Sequence, residues 1–337
     1  MPNIAQFGGI AKGNFRPKIP PVLLDTLEHI NHEATTKDFS VSKTSNKVLL
    51  KKAKNRYFTQ ELCRHLASLN SPLTKAYKTT LFECCTTIVQ EGQKLTSKYC
   101  GYRWCNVCNR IRTAKLLNGY LKPLNEMKQP SFVTLTIPNV NKADLRHTIV
   151  GMINVSKNII RALKRLKIAC NGIRKIECTY NVDTDTYHPH LHLIVDGINV
   201  GNEIINEWLK RYPFAERSAQ LCKLVTNDEK GLKELFKYTT KIVSKAKTDY
   251  QIFIPALDSI FKSIKGMRTF QTFGNIKKVN DEVDELLAEQ YDNIEFYDFV
   301  VWKWERNDWV NMVDGKLLTK YKPSKAMIDL TTNKMIM

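Results

Sequence analysis

The octapeptide His188-Pro189-His190-Leu191-His192-Leu193-Ile194-Val195 restricts the choice of folds more than any other part of the chain. Side chains of an extended strand alternate between its two faces, so the three histidines share one face and the apolar residues between them share the other. A lone histidine is usually a satisfied core residue; three on one face of an otherwise apolar strand point to a bound cation. Residues 173–181 form a second β-prone run, and the polar connection Val182-Asp183-Thr184-Asp185-Thr186-Tyr187 makes the two runs an antiparallel hairpin. With the turn centred near Thr184 and Asp185, Glu177 falls close to His192 across the ladder. His190, His192 and the Glu177 carboxylate then converge, a nitrogen and oxygen set that suits Mn²⁺ or Mg²⁺ with positions left for phosphate oxygens. A salt bridge to a basic neighbour is the ordinary alternative for Glu177. His188 is a further candidate, as ligand, as phosphate contact or as the start of the strand.

Phe132-Val133-Thr134-Leu135-Thr136-Ile137, stopped by Pro138-Asn139, reads as a buried strand. Residues 145–166 place Ile149, Met152, Ile153, Ile159, Ile160, Leu163 and Leu166 at helical spacing, an amphipathic helix. Another helix, capped by Asn227 or Asp228, runs through Leu232, Leu235, Phe236, Thr239 and Ile242. The order strand, helix, strand, strand, helix predicts an α+β fold in which helices cover an antiparallel sheet. On the last of these helices Glu234, Tyr238 and Lys241 lie along one face, a base, a nucleophile and a cation. An exposed tyrosine flanked by glutamate and lysine is also common surface chemistry; the histidine strand upstream gives this one its weight.

Cys100, Cys105 and Cys108, preceded by the pair Cys84-Cys85, read as a structural Zn²⁺ site because a Cys-x-x-Cys turn pinches a tetrahedral metal. Cys85 is taken as the fourth ligand, with Cys84 as the alternative. A redox pair is the competing use; the third cysteine and the following Arg110, Arg112 and Lys115 favour a zinc knuckle against DNA. Cys63, Cys170, Cys178 and Cys222 read as small buried hydrophobes, and Tyr180 and Tyr187 as structural.

Lysine and arginine number 52 against 33 acidic residues, a formal charge of +19. That excess suits a polyanion such as DNA, although a solvated surface or an anionic membrane would attract it too. No stretch is long and apolar enough to span a membrane and the first 18 residues lack a signal pattern, so a cytoplasmic protein is expected. The expected organisation is a basic helical region over residues 1–79, a zinc-binding module over 80–118, a catalytic core over 119–265 and an extension over 266–337. Within the first region, the leucine-striped, lysine-rich stretch 51–69 reads equally as a packed helix and as a DNA contact. Residues 281–290 read as an acidic helix.

His190-Leu191-His192 resembles the His-hydrophobe-His motif of the HUH endonucleases. Phe132-Val133-Thr134-Leu135-Thr136 resembles the first motif of their plasmid replication-initiator branch, and Glu234, Tyr238 and Lys241 resemble its third. The resemblance covers residues 132–241. It implies a five-stranded antiparallel sheet with helices on its faces and an origin nick by Tyr238 that leaves a 5′-phosphotyrosine and a free 3′-hydroxyl. It also implies Glu234 as the base that activates water at termination, a host helicase and a polymerase as partners, and a cysteine cluster ahead of the first motif. A single-tyrosine transposase is the nearest rival. A non-enzymatic zinc-containing DNA-binding regulator is the rival of another class, and it leaves the histidine strand unexplained.

Overall fold

The alternation of the histidine strand is realised at the centre of a sheet. A computed structural model describes residues 46–91, 94–225, 244–245, 250–279 and 300–337. Five strands, β3 (Pro130–Thr136), β4 (Gly172–Asn181), β5 (Thr186–Asp196), β6 (Leu221–Leu224) and β9 (Phe270–Phe273), assemble in the order β6-β3-β5-β4-β9, every pair antiparallel. The fold is α+β, as the pattern of elements predicts.

One face of this sheet is apolar and carries helices α4 (Leu145–Arg165), α5 (Ile198–Arg211) and α6 (Ile254–Ile264). Val133, Leu135, Leu191, Leu193 and Val195 point into it and meet Ile149, Met152, Ile205, Trp208 and Leu257 in one core. Leu135, Leu191 and Ile149 are fully buried, each worth roughly 1.5–3 kcal/mol. The Trp208 indole donates to the Thr136 carbonyl at 3.0 Å, which satisfies its one polar atom. Helix α4 ends as its last basic turn favours: Ile168 N–H bonds back to Leu163 and Lys167 N–H to Lys164, with Lys167 at φ 59°.

The other face carries the histidines. Beside them Phe132, Ile173 and Ile194 pack under Leu117 and Leu124 of α3 (Asn106–Asn125), so helices cover both sides of the sheet. Gly172 is required where β4 meets β5, because an added Cβ would stand 2.2 Å from the Ile194 carbonyl and 2.7 Å from the Phe273 ring. Gly172→Ala is expected to cost about 1–3 kcal/mol by forcing the ladder apart, read as a lower urea midpoint at unchanged slope.

The cysteine region has a sheet of its own. Helices α1 (Asn46–Ser68) and α2 (Thr74–Phe82) lead into β1 (Thr87–Glu91) and β2 (Lys94–Ser97). Alongside these lie β10 (Val300–Glu305) and β11 (Asp308–Asn311), in the order β11-β10-β1-β2. Arg306 and Asn307, at φ 50° and 69°, make the two-residue turn between β10 and β11 that favours this handedness. Chain beyond residue 266 thus supplies both the edge strand β9 of the central sheet and half of the sheet beside the cysteines. The fully buried Trp309 donates from its indole to the Cys85 carbonyl at 3.0 Å. The buried Asp308 carboxylate accepts from the Thr319 amide and hydroxyl and from the Tyr321 amide. A small third sheet joins β7 (Ser244–Lys245), β8 (Tyr250–Phe253) and β12 (Met335–Ile336), the last parallel to β8 and preceded by α7 (Lys325–Thr332).

Candidate functional site

Hairpin β4–β5 brings the first ligand set together. Its turn spans residues 182–185, closed by an Asn181 side chain that accepts from the Asp183 amide at 3.0 Å and by Tyr180 donating to Asp185 at 2.8 Å. The turn is therefore centred between Asp183 and Thr184, one residue earlier than expected. That moves the register by two: Glu177 lies opposite His190, and Lys175 opposite His192. Glu177 nevertheless serves both rings, since its Oε2 lies 3.4 Å from Nε2 of His190 and 3.4 Å from Nε2 of His192.

The far nitrogen of each ring is engaged. His190 Nδ1 lies 3.1 Å from the His188 carbonyl, and His192 Nδ1 lies 3.1 Å from the Thr134 hydroxyl. These contacts hold the rings so that both Nε2 atoms face the carboxylate, the orientation a metal-binding histidine needs. All three ligand atoms lie within 4.8 Å of one another. A six-coordinate hard cation held by them keeps further positions for water or phosphate oxygens.

Charge at this point is set by a residue that motif reading passed over. Lys175, almost wholly buried, bonds to Glu177 Oε1, leaving Oε2 to the imidazoles. Burial works against the Glu177 charge, but the Lys175 ammonium and the hydrogen bonds from His190 and His192 outweigh it and hold the carboxyl well below its ordinary range. Burial pushes His192 down in spite of Glu177, which favours the neutral, ligating imidazole. Alternation alone would have found Lys175: it stands two residues before Glu177 on a strand, so both must share a face. Of the two uses weighed for Glu177, the salt bridge is made by Oε1 with Lys175, while Oε2 faces the two imidazoles where a cation could be held.

His188 stands outside this group. Its Nδ1 contacts Asn139 Oδ1 at 2.9 Å and its ring stacks on His190 at 5.3 Å, while burial and the neighbouring His190 push it down to about 4. Glu234, Tyr238 and Lys241 lie outside the described residues, as do the acidic stretch 281–290 and the first 45 residues.

The second ligand set is Cys84, Cys100, Cys105 and Cys108, whose sulfurs also lie within 4.8 Å of one another. Cys84 Sγ is 3.6 Å from both Cys105 and Cys108, and Cys100 is 3.7 Å from Cys108. Four thiolates about 2.3 Å from one Zn²⁺ form a tetrahedron with edges of about 3.8 Å, so the donor set fits that ion. Backbone amides of Cys100, Gly101 and Cys108 point at the sulfurs of Cys84, Cys108 and Cys105 from 3.4, 3.3 and 3.5 Å, which stabilises thiolate charge. Hydrogen bonds from Cys105, Cys108 and Cys84 pull Cys100 well down, whereas burial drives Cys105 well up.

The member of the vicinal pair that joins this cluster is Cys84 and not the expected Cys85. Cys85 takes a left-handed backbone conformation, φ 55°, and its side chain packs in the core around Trp309. Arg112, expected to face DNA, donates to the Gly101 carbonyl at 2.6 Å and to Asn109, and so braces the cysteine loop. Cys63, Cys170 and Cys178 are buried and Cys222 is half-buried.

Residues 93–197 match the replication-protein family, a segment that holds Cys100, Cys105, Cys108 and the whole Glu177, His190 and His192 group. The chain is 26% identical over 220 residues to a Protein rep of Staphylococcus aureus, covering 59% of this chain and 95% of that one. It is 30% identical over 103 residues to a Protein rep of Streptococcus pneumoniae, 29% of this chain and 32% of that one. Over 103 residues it is 29% identical to a Protein rep of a Bacillus species, of which it spans 33%. No solved structure matches. By this segment and these relatives, the chain is similar to replication proteins of the Rep type.

Proposed function

We propose that the chain starts rolling-circle replication by cutting one DNA strand at an origin through Tyr238. The reading rests above all on the Glu177, His190 and His192 cluster, held in one orientation on the face of the sheet that also packs against α3, within the segment matched to replication proteins. A divalent cation bound there, Mn²⁺ or Mg²⁺, supplies charge stabilisation for a scissile phosphate. Lys175 fixes the Glu177 carboxylate for that task. The Tyr238 oxygen forms a bond to phosphorus as the bond to the 3′ oxygen breaks; the phenolic proton leaves to a base, and the released 3′ oxygen takes up a proton. The products are a 5′-phosphotyrosine and a 3′-hydroxyl that a host polymerase extends behind a helicase. Lys241 stabilises the phosphate, and Glu234 activates water for release. Zn²⁺ at the four cysteines is structural, because four protein sulfurs leave no open position. Among the described residues no helix is long and apolar enough to cross a membrane.

Tyr238→Phe is expected to abolish the covalent adduct with an origin oligonucleotide labelled at its 3′ end, observed as loss of a slow-migrating labelled band on a denaturing gel. An adduct that persists in this variant removes Tyr238 from its role. Glu234→Gln is expected to spare the first cut and slow release, so that the labelled band accumulates; normal turnover contradicts the assignment.

A further inference from the structure

A cleft of about 590 Å³ opens between α1, α2 and strand β10, on the four-stranded sheet and apart from the histidine cluster. Its size is that of a small-ligand site, roughly 300–1,000 Å³. Deep in its wall lies Arg56, 1% exposed. One guanidinium nitrogen donates to the Leu81 carbonyl at 2.6 Å, but Nε and Nη1 are buried with no hydrogen-bond partner. No carboxylate among the described residues lies within ion-pair distance of it, so a buried positive charge is left with two idle donors. An unmatched buried cation is costly in a finished protein, and the donors left over mark where an anion belongs.

The surroundings specify the anion further. The Trp304 ring lies 5.7 Å from the Arg56 guanidinium, and its indole nitrogen is tied to Gln60 at 2.7 Å, which locks the ring in place. Phe82, 68% exposed, stands at the rim with Arg64 and Lys303. Arg64 is in a surface pair with Glu61, and Glu305 is the one acidic residue in the lining. Cations flanking immobilised and exposed aromatic faces are what a phosphate joined to an unstacked base requires, the arrangement by which single strands are held without sequence readout.

We propose that this cleft is a second nucleotide-binding site, in which Arg56 takes a phosphate and Trp304 or Phe82 takes the adjoining base, and that its physiological occupant is a single-stranded segment of the DNA being processed. The proposal rests on the chain acting on DNA as argued above, but not on Tyr238 or on the cation cluster.

The test uses the full chain carrying Tyr238→Phe, so that no covalent product interferes. A single-stranded oligonucleotide containing 5-iododeoxyuridine is photocrosslinked and the attached peptide sequenced. Attachment within α2 or at Trp304 is expected; attachment only elsewhere overturns the site while leaving the DNA reading intact, and absence of any binding overturns both. In parallel, affinity is measured by anisotropy across a salt series. Arg64→Ser with Lys303→Ser, both exposed, is expected to weaken binding at least tenfold at low salt. The same pair should flatten the logarithmic salt dependence by roughly 1.4, because two phosphates of a single strand are no longer neutralised. Unchanged affinity and slope contradict the proposal. Arg56→Met removes the idle charge itself; the expected result is an unfolding temperature no lower than that of the parent, with the oligonucleotide-induced rise abolished. A rise that survives in a folded Arg56→Met variant overturns the role of Arg56. Mononucleotide and inorganic phosphate arms, added before irradiation, identify the source: suppression of attachment to that peptide by millimolar mononucleotide supports the phosphate-and-base chemistry, and suppression by phosphate alone to the same extent overturns the base contact.

Discussion

Cys84→Ser is expected to release the zinc and unfold the cysteine module, whereas Cys85→Ser, one residue away, leaves zinc content unchanged. The contrast follows from backbone handedness. Cys84 Sγ sits 3.6 Å from two other sulfurs and accepts from the Cys100 amide, while Cys85 turns its side chain into apolar packing and contributes its carbonyl to Trp309. Structural zinc in isolated finger peptides supplies an apparent ~10–16 kcal/mol, and that free energy is folding free energy. Losing one of four thiolates should therefore lower the unfolding temperature sharply and open β1 and β2 to proteolysis. Zinc per chain, measured by a chromogenic chelator after denaturation, decides the matter: equal zinc loss in both variants, or full zinc in Cys84→Ser, is incompatible with the ligand set described.

The second large effect belongs to Glu177. Glu177→Leu leaves the Lys175 ammonium buried without its carboxylate, a change that typically costs about 3–5 kcal/mol, and removes a cation ligand as well. Adding Lys175→Met to that variant takes away the stranded charge. The double variant is expected to regain most of the stability in urea while remaining unable to bind Mn²⁺, as followed by its electron paramagnetic resonance signal. Stability and metal affinity would then separate. If the double variant is as unstable as the single one, the Lys175 bond is not what Glu177 leaves behind; if it binds Mn²⁺ like the parent, Glu177 is not a ligand.

What could be read from the chain in advance depended on whether the signal was local. Alternation over residues 188–195 and the helical period over residues 145–166 are short-range patterns, and each element formed where its pattern lay. The hairpin register was harder, because it hangs on a turn of four polar residues whose centre is decided by one Asn181 side chain. A shift of one residue there moved Glu177 from opposite His192 to opposite His190, although the length of the glutamate side chain kept both rings within reach. Spacing could not choose between Cys84 and Cys85, since either fits a zinc knuckle in one dimension and only φ at Cys85 separates them. The pairing of Thr87 with Lys303 was invisible for a different reason: no local periodicity announces a partner so far along the chain. Glu234, Tyr238 and Lys241 stay a reading of sequence.

That distant pairing also fixes an order of events during synthesis. The four cysteines and strands β1 and β2 leave the ribosome well before the wall that completes their sheet, with Trp309 and the Asp308 clasp, has been translated. A nascent chain can collect its zinc long before it can bury the Cys85 side of the module, and closing so long a loop is entropically slow. A fragment cut to residues 80–118 would accordingly carry the ligands without their housing, so a stable excised module has to be built by joining β10–β11 directly to β1.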